Sequence, residues 1–171
     1  MEIREATLPA DIEAIRRLWL EYLTWGNAQL EALFGFRLPV EPVVDQDLAS
    51  IAKFRPPAGH LLLATEGSTV FGIAALRTIT PGTSEIKRMY VQPSHRGAGA
   101  GRALLDALVD LATGDGFQRV RLDSAAFMSA AHRLYRGAGF TEIGAYPESE
   151  IPEPYRDRWV FMERRLFAEL A

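Results

Sequence analysis

The feature that most narrows the folds open to this chain is a run of alternating glycines set between a strand and a helix. The run Arg96-Gly97-Ala98-Gly99-Ala100-Gly101-Arg102 follows an apolar strand over residues 84–91, which Pro93 closes. It leads without a break into Leu104, Leu105, Leu108, Leu111 and Ala112, whose spacing is one face of a helix. Small residues let a backbone come close to a ligand, and a helix start points unpaired N–H groups at an anion. Arg96 and Arg102 flank the loop and can add charge-assisted bonds to phosphate. A tight turn needs one glycine for its sterics. Three glycines and two arginines are more than a turn requires, and they point to an anion-binding loop.

The identity of the anion narrows by elimination. A P-loop would close on Gly-Lys-Ser/Thr, whereas this loop closes on Gly101-Arg102-Ala103 and offers no hydroxyl to magnesium. A dinucleotide fingerprint fits better, since Asp123 lies about 20 residues on. Its third glycine would fall at Arg102, however, and it should open a doubly wound fold rather than follow antiparallel strands. With 171 residues there is room for one core only, so residues 1–171 are expected to form a single domain. A net charge of −3 gives no support to a nucleic-acid surface. The absence of cysteine excludes disulfides, thiolate metal sites and a cysteine nucleophile.

Along the chain, residues 2–6 read as a short strand. Pro9 and Asp11 then open an amphipathic helix carrying Ile12, Ile15, Trp19, Tyr22 and Leu23. Gly35, Pro39 and Pro42 break the pattern, so residues 26–45 are expected to be a loop or lid with partial helix. A short helix is expected over 46–54, ending before Pro56-Pro57. Strands follow at 61–65, 70–77 and 84–91, the first two joined by Glu66-Gly67-Ser68. After the glycine loop and its helix come a strand at 118–123, a helix at 129–137, and strands at 140–146 and 158–166. Antiparallel strands first and a β-loop-α-β unit later predict an α+β fold. It is a mixed, mostly antiparallel sheet flanked by helices.

Two stretches together resemble one family. Glu85-Ile86-Lys87-Arg88-Met89-Tyr90-Val91 followed by His95-Arg96-Gly97-Ala98-Gly99-Ala100-Gly101-Arg102 is similar to the central motif of the GNAT superfamily of acetyl-CoA-dependent N-acetyltransferases, whose core is Arg/Gln-x-x-Gly-x-Gly/Ala. Downstream, Ala131-His132-Arg133-Leu134-Tyr135-Arg136-Gly137-Ala138-Gly139-Phe140 resembles the family's second signature. Where many members carry an asparagine, three residues before that alanine, this chain has Met128.

The resemblance implies a GNAT-like acyltransferase fold and an enzyme that moves acetyl from acetyl-CoA directly to an amine, small molecule or peptide. The runner-up is a domain that binds acetyl-CoA as a sensor or interaction module without turnover. Coenzyme A would lie along the strand ending at Val91, with backbone groups of Met89 and Val91 pairing with its pantetheine arm and Tyr90 between them; otherwise Met89 and Tyr90 are simply core. Its pyrophosphate would sit in the loop Arg96, Gly97, Ala98, Gly99, Ala100, Gly101 and Arg102, with Ala131 and Leu134 beside it. The Tyr135 hydroxyl would donate to the departing sulfur; otherwise Tyr135 simply packs beside Leu134 and Phe140. An amine of pKa about 10 must lose a proton to react, and Glu85, expected at the open end of its strand, is the candidate base. Its bland alternative is a solvated charge paired with Lys87 or Arg88.

Other residues suggest less. His60, His95 and His132 show no metal-ligand spacing, so no metal is expected. Trp19, Tyr22 and Trp25 read as core, with Trp25 near enough to the irregular segment to line an acceptor pocket. Glu148, Glu150 and Glu153 read as a solvated run able to attract a cation. No apolar run approaches the ~20 residues of a membrane span and no leader is apparent, so the expected setting is cytoplasmic. The expected partners are acetyl-CoA and the amine, without nucleic acid or membrane and with a homodimer left open.

Overall fold

The structure, a computed structural model, describes residues 1–167. Seven strands form one sheet: β1 (Glu2–Glu5), β2 (Gly59–Glu66), β3 (Thr69–Thr80), β4 (Thr83–Val91), β5 (Arg119–Ala125), β6 (Thr141–Ile143) and β7 (Trp159–Arg165). Their spatial order is β1-β2-β3-β4-β5-β7-β6, and only the β4–β5 pair is parallel. Four helices accompany them: α1 (Ile12–Phe34), α2 (Val40–Ala49), α3 (Ala100–Gly114) and α4 (Ser129–Gly137). The mixed α+β architecture expected from the sequence is therefore the one observed, with residues 168–171 of the expected domain outside the described part.

Both faces of the sheet centre are covered. Leu61, Leu63, Ile73 and Ala75 pack with Ile15, Leu18 and Trp19 of α1, with Val44 of α2, and with Phe54. Their neighbours on the opposite face, Leu62, Ala64, Ala74 and Leu76, pack with Leu104, Leu105 and Leu108 of α3. This is why β2 and β3 read as continuous apolar runs rather than as alternating patterns.

Three expectations are corrected. Residues 26–45 are largely helical. α1 runs on through Gly26 to Phe34 and ends at Gly35, whose left-handed φ of +73° lets its N–H reach Glu31 O at 3.0 Å. Pro42 occupies the first turn of α2, where a helix N–H has no partner to lose. The breakers thus punctuate two helices instead of excluding them. Second, the helix expected over 46–54 is the end of α2 followed by a separate 3-10 turn at Ile51–Phe54. Third, β6 is only Thr141–Ile143, and the chain leaves the sheet at Gly144.

The sheet opens between β4 and β5. Their parallel pairing runs from Thr83↔Arg119 to Ile86↔Leu122 and stops there. β4 continues along β3 as far as Gly72↔Val91, and β5 continues along β7 to Ala125↔Trp159. Between Ala75↔Lys87 and Ile73↔Tyr90, β3 advances two residues while β4 advances three, so β4 carries a bulge. Within the bulge Arg88 has φ +52°, unusual for a residue with a side chain. Beyond Ile86, β4 therefore presents backbone groups to a wedge that no strand fills.

The backbone fit at Gly59 gives a stability test. A Cβ there would lie 2.0 Å from Leu76 O and 2.6 Å from Lys53 O, overlaps that only backbone movement can relieve. Gly59→Ala is expected to lose about 3 kcal/mol or more in urea unfolding. Gly114→Ala, in α3 with nothing within 4 Å, is expected to gain up to about 1 kcal/mol.

Candidate active site

The wedge between β4 and β5 holds a cavity of about 620 Å³. Met89, Tyr90 and Val91 line it from β4, and Arg96, Gly97, Gly99, Ala100, Gly101 and Arg102 from the loop and the start of α3. Ala131, Leu134 and Tyr135 of α4 complete the wall. Of the residues expected to hold coenzyme A, Ala98 alone stands outside this lining and is exposed.

The loop is shaped for an anion by its backbone. Gly97 and Gly99 both have φ +85°, and a Cβ on either would meet no protein atom within 4 Å. Backbone conformation therefore demands these glycines, and the space beside them is open. Gly99 is the N-cap of α3, and no side chain caps that helix, so its first-turn N–H groups lack intrahelical partners. Arg96 donates Nε–H to Val91 O at 2.9 Å and lies 5.6 Å from the ring centres of both Trp25 and Tyr90. Arg102 is anchored to Asp106 and exposed. Open amides at a helix start beside two arginines fit a pyrophosphate.

Tyr135 projects from α4 into the same cavity and is 7% exposed, its hydroxyl 4.0 Å from Met89 Sδ. Burial pushes its phenol pKa far above the ordinary value, so the O–H persists as a donor at any ordinary pH. Trp25 lines this cavity too, packed edge-on against Phe127 with ring centres 5.8 Å apart.

Glu85 is not brought to the cavity. It is fully buried in the stretch where β4 still pairs with both neighbours, opposite Arg77 and Arg121. Arg77 Nη2 lies 2.7 Å from its Oε2, and the Tyr146 hydroxyl donates to Oε1 at 2.6 Å. The expected position at an open strand end is corrected: the wedge opens one residue after Ile86, too late to expose Glu85. Its partners are Arg77 and Tyr146 rather than Lys87 or Arg88, and both of its carboxylate oxygens are committed.

A second cavity, of about 280 Å³, adjoins the first. The two share Tyr22, Lys87, Arg88, Asp123, Ser124, Phe127 and Met128. Residues 26–45, expected as a loop or lid with partial helix, supply one wall through Asn27 and Leu30 of α1, Leu38 of the connection, and Val40 and Val43 of α2. At the junction Lys87 Nζ lies 3.4 Å from Asp123 Oδ2 and 3.5 Å from Glu150 Oε2. Burial works against the Lys87 charge, but Asp123, Glu85 and Glu150 outweigh it and raise the pKa above the ordinary value. Ser149 Oγ donates to Asp123 Oδ2 at 3.1 Å, and Arg88 Nε–H to Asp47 Oδ2 at 2.7 Å. Glu150, expected as a solvated charge, is exposed and also accepts from Arg77 Nη1 at 2.6 Å. Nearby, Ser124 Oγ is 3.2 Å from His132 Nε2, and burial lowers the His132 pKa, keeping that ring neutral. Among the described residues no cluster of three or more His, Asp or Glu side chains could hold a metal ion.

Sequence reasoning passed over Asp123 and Arg88 as residues of this site, and named Glu150 only within an acidic run able to attract a cationic acceptor. Asp123 carried one available signal, its place at the end of the strand that faces the glycine loop. Arg88 carried none, because a bulge is invisible without the register of β3.

A split parallel pair, a glycine loop on a helix start and a buried tyrosine facing both define an acyltransferase that takes coenzyme A. Residues 13–140 match the profile of the Acetyltransferase (GNAT) family. An uncharacterized N-acetyltransferase of Schizosaccharomyces pombe is 30% identical over 89% of this chain and 90% of its own length. An IAA acetyltransferase of Azospirillum brasilense is 33% identical over 81% of this chain and 86% of its own. An acetyltransferase of Salmonella typhimurium, solved with its cofactor acetyl-CoA, superposes with a TM-score of 0.72 at 25% identity, over 100% of this chain and 96% of that one. The chain belongs to the GNAT family of acetyltransferases, with acetyl-CoA as donor. No described helix is long and apolar enough to cross a membrane.

The charge cluster predicts an acid-sensitive stability. Burial alone would raise the Glu150 pKa, but Lys87, Arg77 and Arg88 outweigh it and lower it from 4.5 to about 2. A carboxylate whose folded pKa is depressed stabilises fully above its unfolded value and loses that contribution as pH falls through the folded one. Glu150→Gln should lower the urea midpoint at pH 7, and the gap from the parent should close between pH 4.5 and pH 2. Parallel pH curves for the two proteins would show that Glu150 adds no ionic stabilisation.

Proposed function

We propose that this chain transfers acetyl directly from acetyl-CoA to a primary amine, the amine reaching the thioester through the second cavity. The supporting observation is the junction: two cavities meet where β4 and β5 part, with Asp123 on both walls and Tyr135 on the coenzyme side. Acetyl-CoA supplies an acetyl group activated as a thioester. The chain's own residues hold it by the loop amides, Arg96 and Arg102, and along the unpaired edge of Met89 to Val91.

Tyr135 then serves the leaving sulfur. Its hydroxyl stays protonated, so it donates most strongly when the sulfur gains negative charge. Asp123, not Glu85, serves the nucleophile: its carboxylate is 7% exposed and accepts from the incoming amine. Overall an ammonium nitrogen exchanges two protons for the acetyl group; one leaves with the thiol and one passes through Asp123 to solvent. Direct transfer also predicts intersecting double-reciprocal lines. An acetyl group parked on Ser124, with His132 as base, would give parallel ones.

Tyr135→Phe retains the ring beside Phe140, whose centre is 6.1 Å away, and removes only the hydroxyl. It should lower kcat by roughly 10²–10⁴-fold with little change in acceptor KM, the signature of a contact made in the transition state. Unchanged kcat would reduce Tyr135 to a packing residue.

The base assignment separates two carboxylates. Asp123→Asn should depress kcat/KM near neutrality and recover in part at high pH, where the amine arrives neutral. Glu85→Gln should leave the shape of the pH profile unchanged and lower stability instead. The reverse pattern, rescue at high pH for Glu85→Gln alone, would return the base role to Glu85.

A further inference from the structure

The second cavity carries information about the acceptor, and the argument rests on the acetyltransferase reading just given. Its far walls are mostly apolar: Leu23, Leu30, Val40, Val43, Ile151 and Trp159 face it from α1, α2, the 144–158 segment and β7, with Asn27 as the polar exception. Its charged residues are Lys87, Arg88, Asp123 and Glu150, two of each sign. Three of the four, Lys87, Arg88 and Asp123, also border the coenzyme cavity, so the charges stand at the mouth and the apolar walls behind it.

Two of these groups have unspent bonding capacity. The Arg88 side chain is 12% exposed, yet among the described residues its single hydrogen bond runs from Nε to Asp47. Its Nη2 stands 3.7 Å from Glu150, beyond hydrogen-bonding range, and its Nη fork is left with no hydrogen bond. Asp123 spends Oδ2 on Lys87 and Ser149 and leaves Oδ1 without a hydrogen bond among the described residues. A guanidinium fork suits a carboxylate, and a carboxylate oxygen suits an amine. Arg88 holds its left-handed φ at this spot, a strain proteins tend to keep where a side chain must be aimed.

We propose that the acceptor is a zwitterionic α-amino acid with an apolar side chain. Its carboxylate lies on the Arg88 fork, its amine on Asp123 facing the thioester, and its side chain between α1 and α2. Charge selects the same class. The ion-paired cluster around the mouth is already balanced, with Lys53, Arg77, Lys87 and Arg88 set against Asp47, Glu85, Asp123 and Glu150, so a lone ammonium or a lone carboxylate would add net charge there, whereas a zwitterion adds none. The walls offer a second charged group no opposite charge, only the Asn27 amide, whose Oδ1 already accepts from Leu38 N–H at 2.8 Å, which disfavours acidic and basic amino acids.

The test compares ligands on the unaltered protein. L-Phenylalanine and L-leucine are set against phenethylamine, isoamylamine, L-phenylalaninamide and L-glutamate. Binding is read by calorimetry with coenzyme A present and turnover by thiol release. Phenylalanine and leucine should bind and turn over. The decarboxylated amines and the amide should be weaker by about 10–100-fold, the worth of a charge-assisted pair. Arg88→Gln should weaken phenylalanine by a similar factor while leaving phenethylamine nearly unchanged. Should that variant fail to fold, the ligand comparison on the parent protein decides alone. Equal or better binding of the decarboxylated amines, a preference for glutamate, or no binding of any of these ligands by a protein that binds coenzyme A would overturn the proposal. Failure to bind coenzyme A would instead overturn the acetyltransferase reading beneath it.

Discussion

The structure depends on the parting of two parallel strands. β4 and β5 are hydrogen-bonded only through Ile86 and Leu122, and each then follows a different neighbour. In a closed sheet every backbone group of a central strand is spent on the ladder. Here the residues from Lys87 to Val91 keep groups that a ligand can use, and they keep them deep in the domain rather than at a solvent edge. The bulge at Arg88 adds a residue to β4 at the point where it must turn from β5, increasing its local bend. Helix α3 closes one end of the wedge with its open N-terminus, and α4 brings Tyr135 against its wall.

Opening a sheet in the middle exposes charge to an interior, and the cluster around Lys87 is how the protein manages this. Arg77, Lys87, Arg88 and Lys53 stand among Glu85, Asp123, Glu150 and Asp47, four charges of each sign. Buried ion pairs add little net stability compared with apolar packing, yet losing one partner is expensive because the other stays buried. The network therefore acts mainly as a constraint. It links α2 through Asp47, the 144–158 segment through Glu150 and β5 through Asp123 to the two adjacent cations of the bulge. Those three elements carry part of the walls of the second cavity, so its shape is tied to the same strand that borders the first one.

The sequence shows some of this and hides the rest for physical reasons. The glycine loop is legible because positive φ and an uncapped helix start demand particular residues at particular positions, whatever surrounds them. Tyr135 stands out only through the resemblance of 131–140 to a family signature, since locally it reads as one more apolar contact beside Leu134 and Phe140. Glu85 misleads: which end of β4 is open depends on where β5 stops pairing, a fact of register between residues some 35 positions apart. The helices in 26–45 are hidden for a different reason. Gly35 and Pro42 have the same composition signal whether they interrupt a helix or cap and begin one, and only their positions relative to the helix ends distinguish the cases.

These two kinds of legibility divide along function. What is proposed to hold the donor is local: backbone amides, a helix terminus and a strand edge, all of which suit groups present in every acetyl-CoA molecule. The second cavity, proposed here for the acceptor, is assembled from α1, α2, β5, β7 and the 144–158 segment, and each contributes side chains. Substitution at Leu30, Val43 or Ile151 would reshape the acceptor walls without touching the loop or Tyr135, since none of the three lines the coenzyme cavity. Arg88 and Asp123 are different, because they line both cavities and are fixed by Asp47, Lys87 and Ser149. A change of acceptor that keeps its amine and carboxylate can thus be made in the walls alone. On the proposed placement, a change that removes the carboxylate must also find new partners for a buried guanidinium, and the head-group preference would then be harder to alter than the side-chain preference.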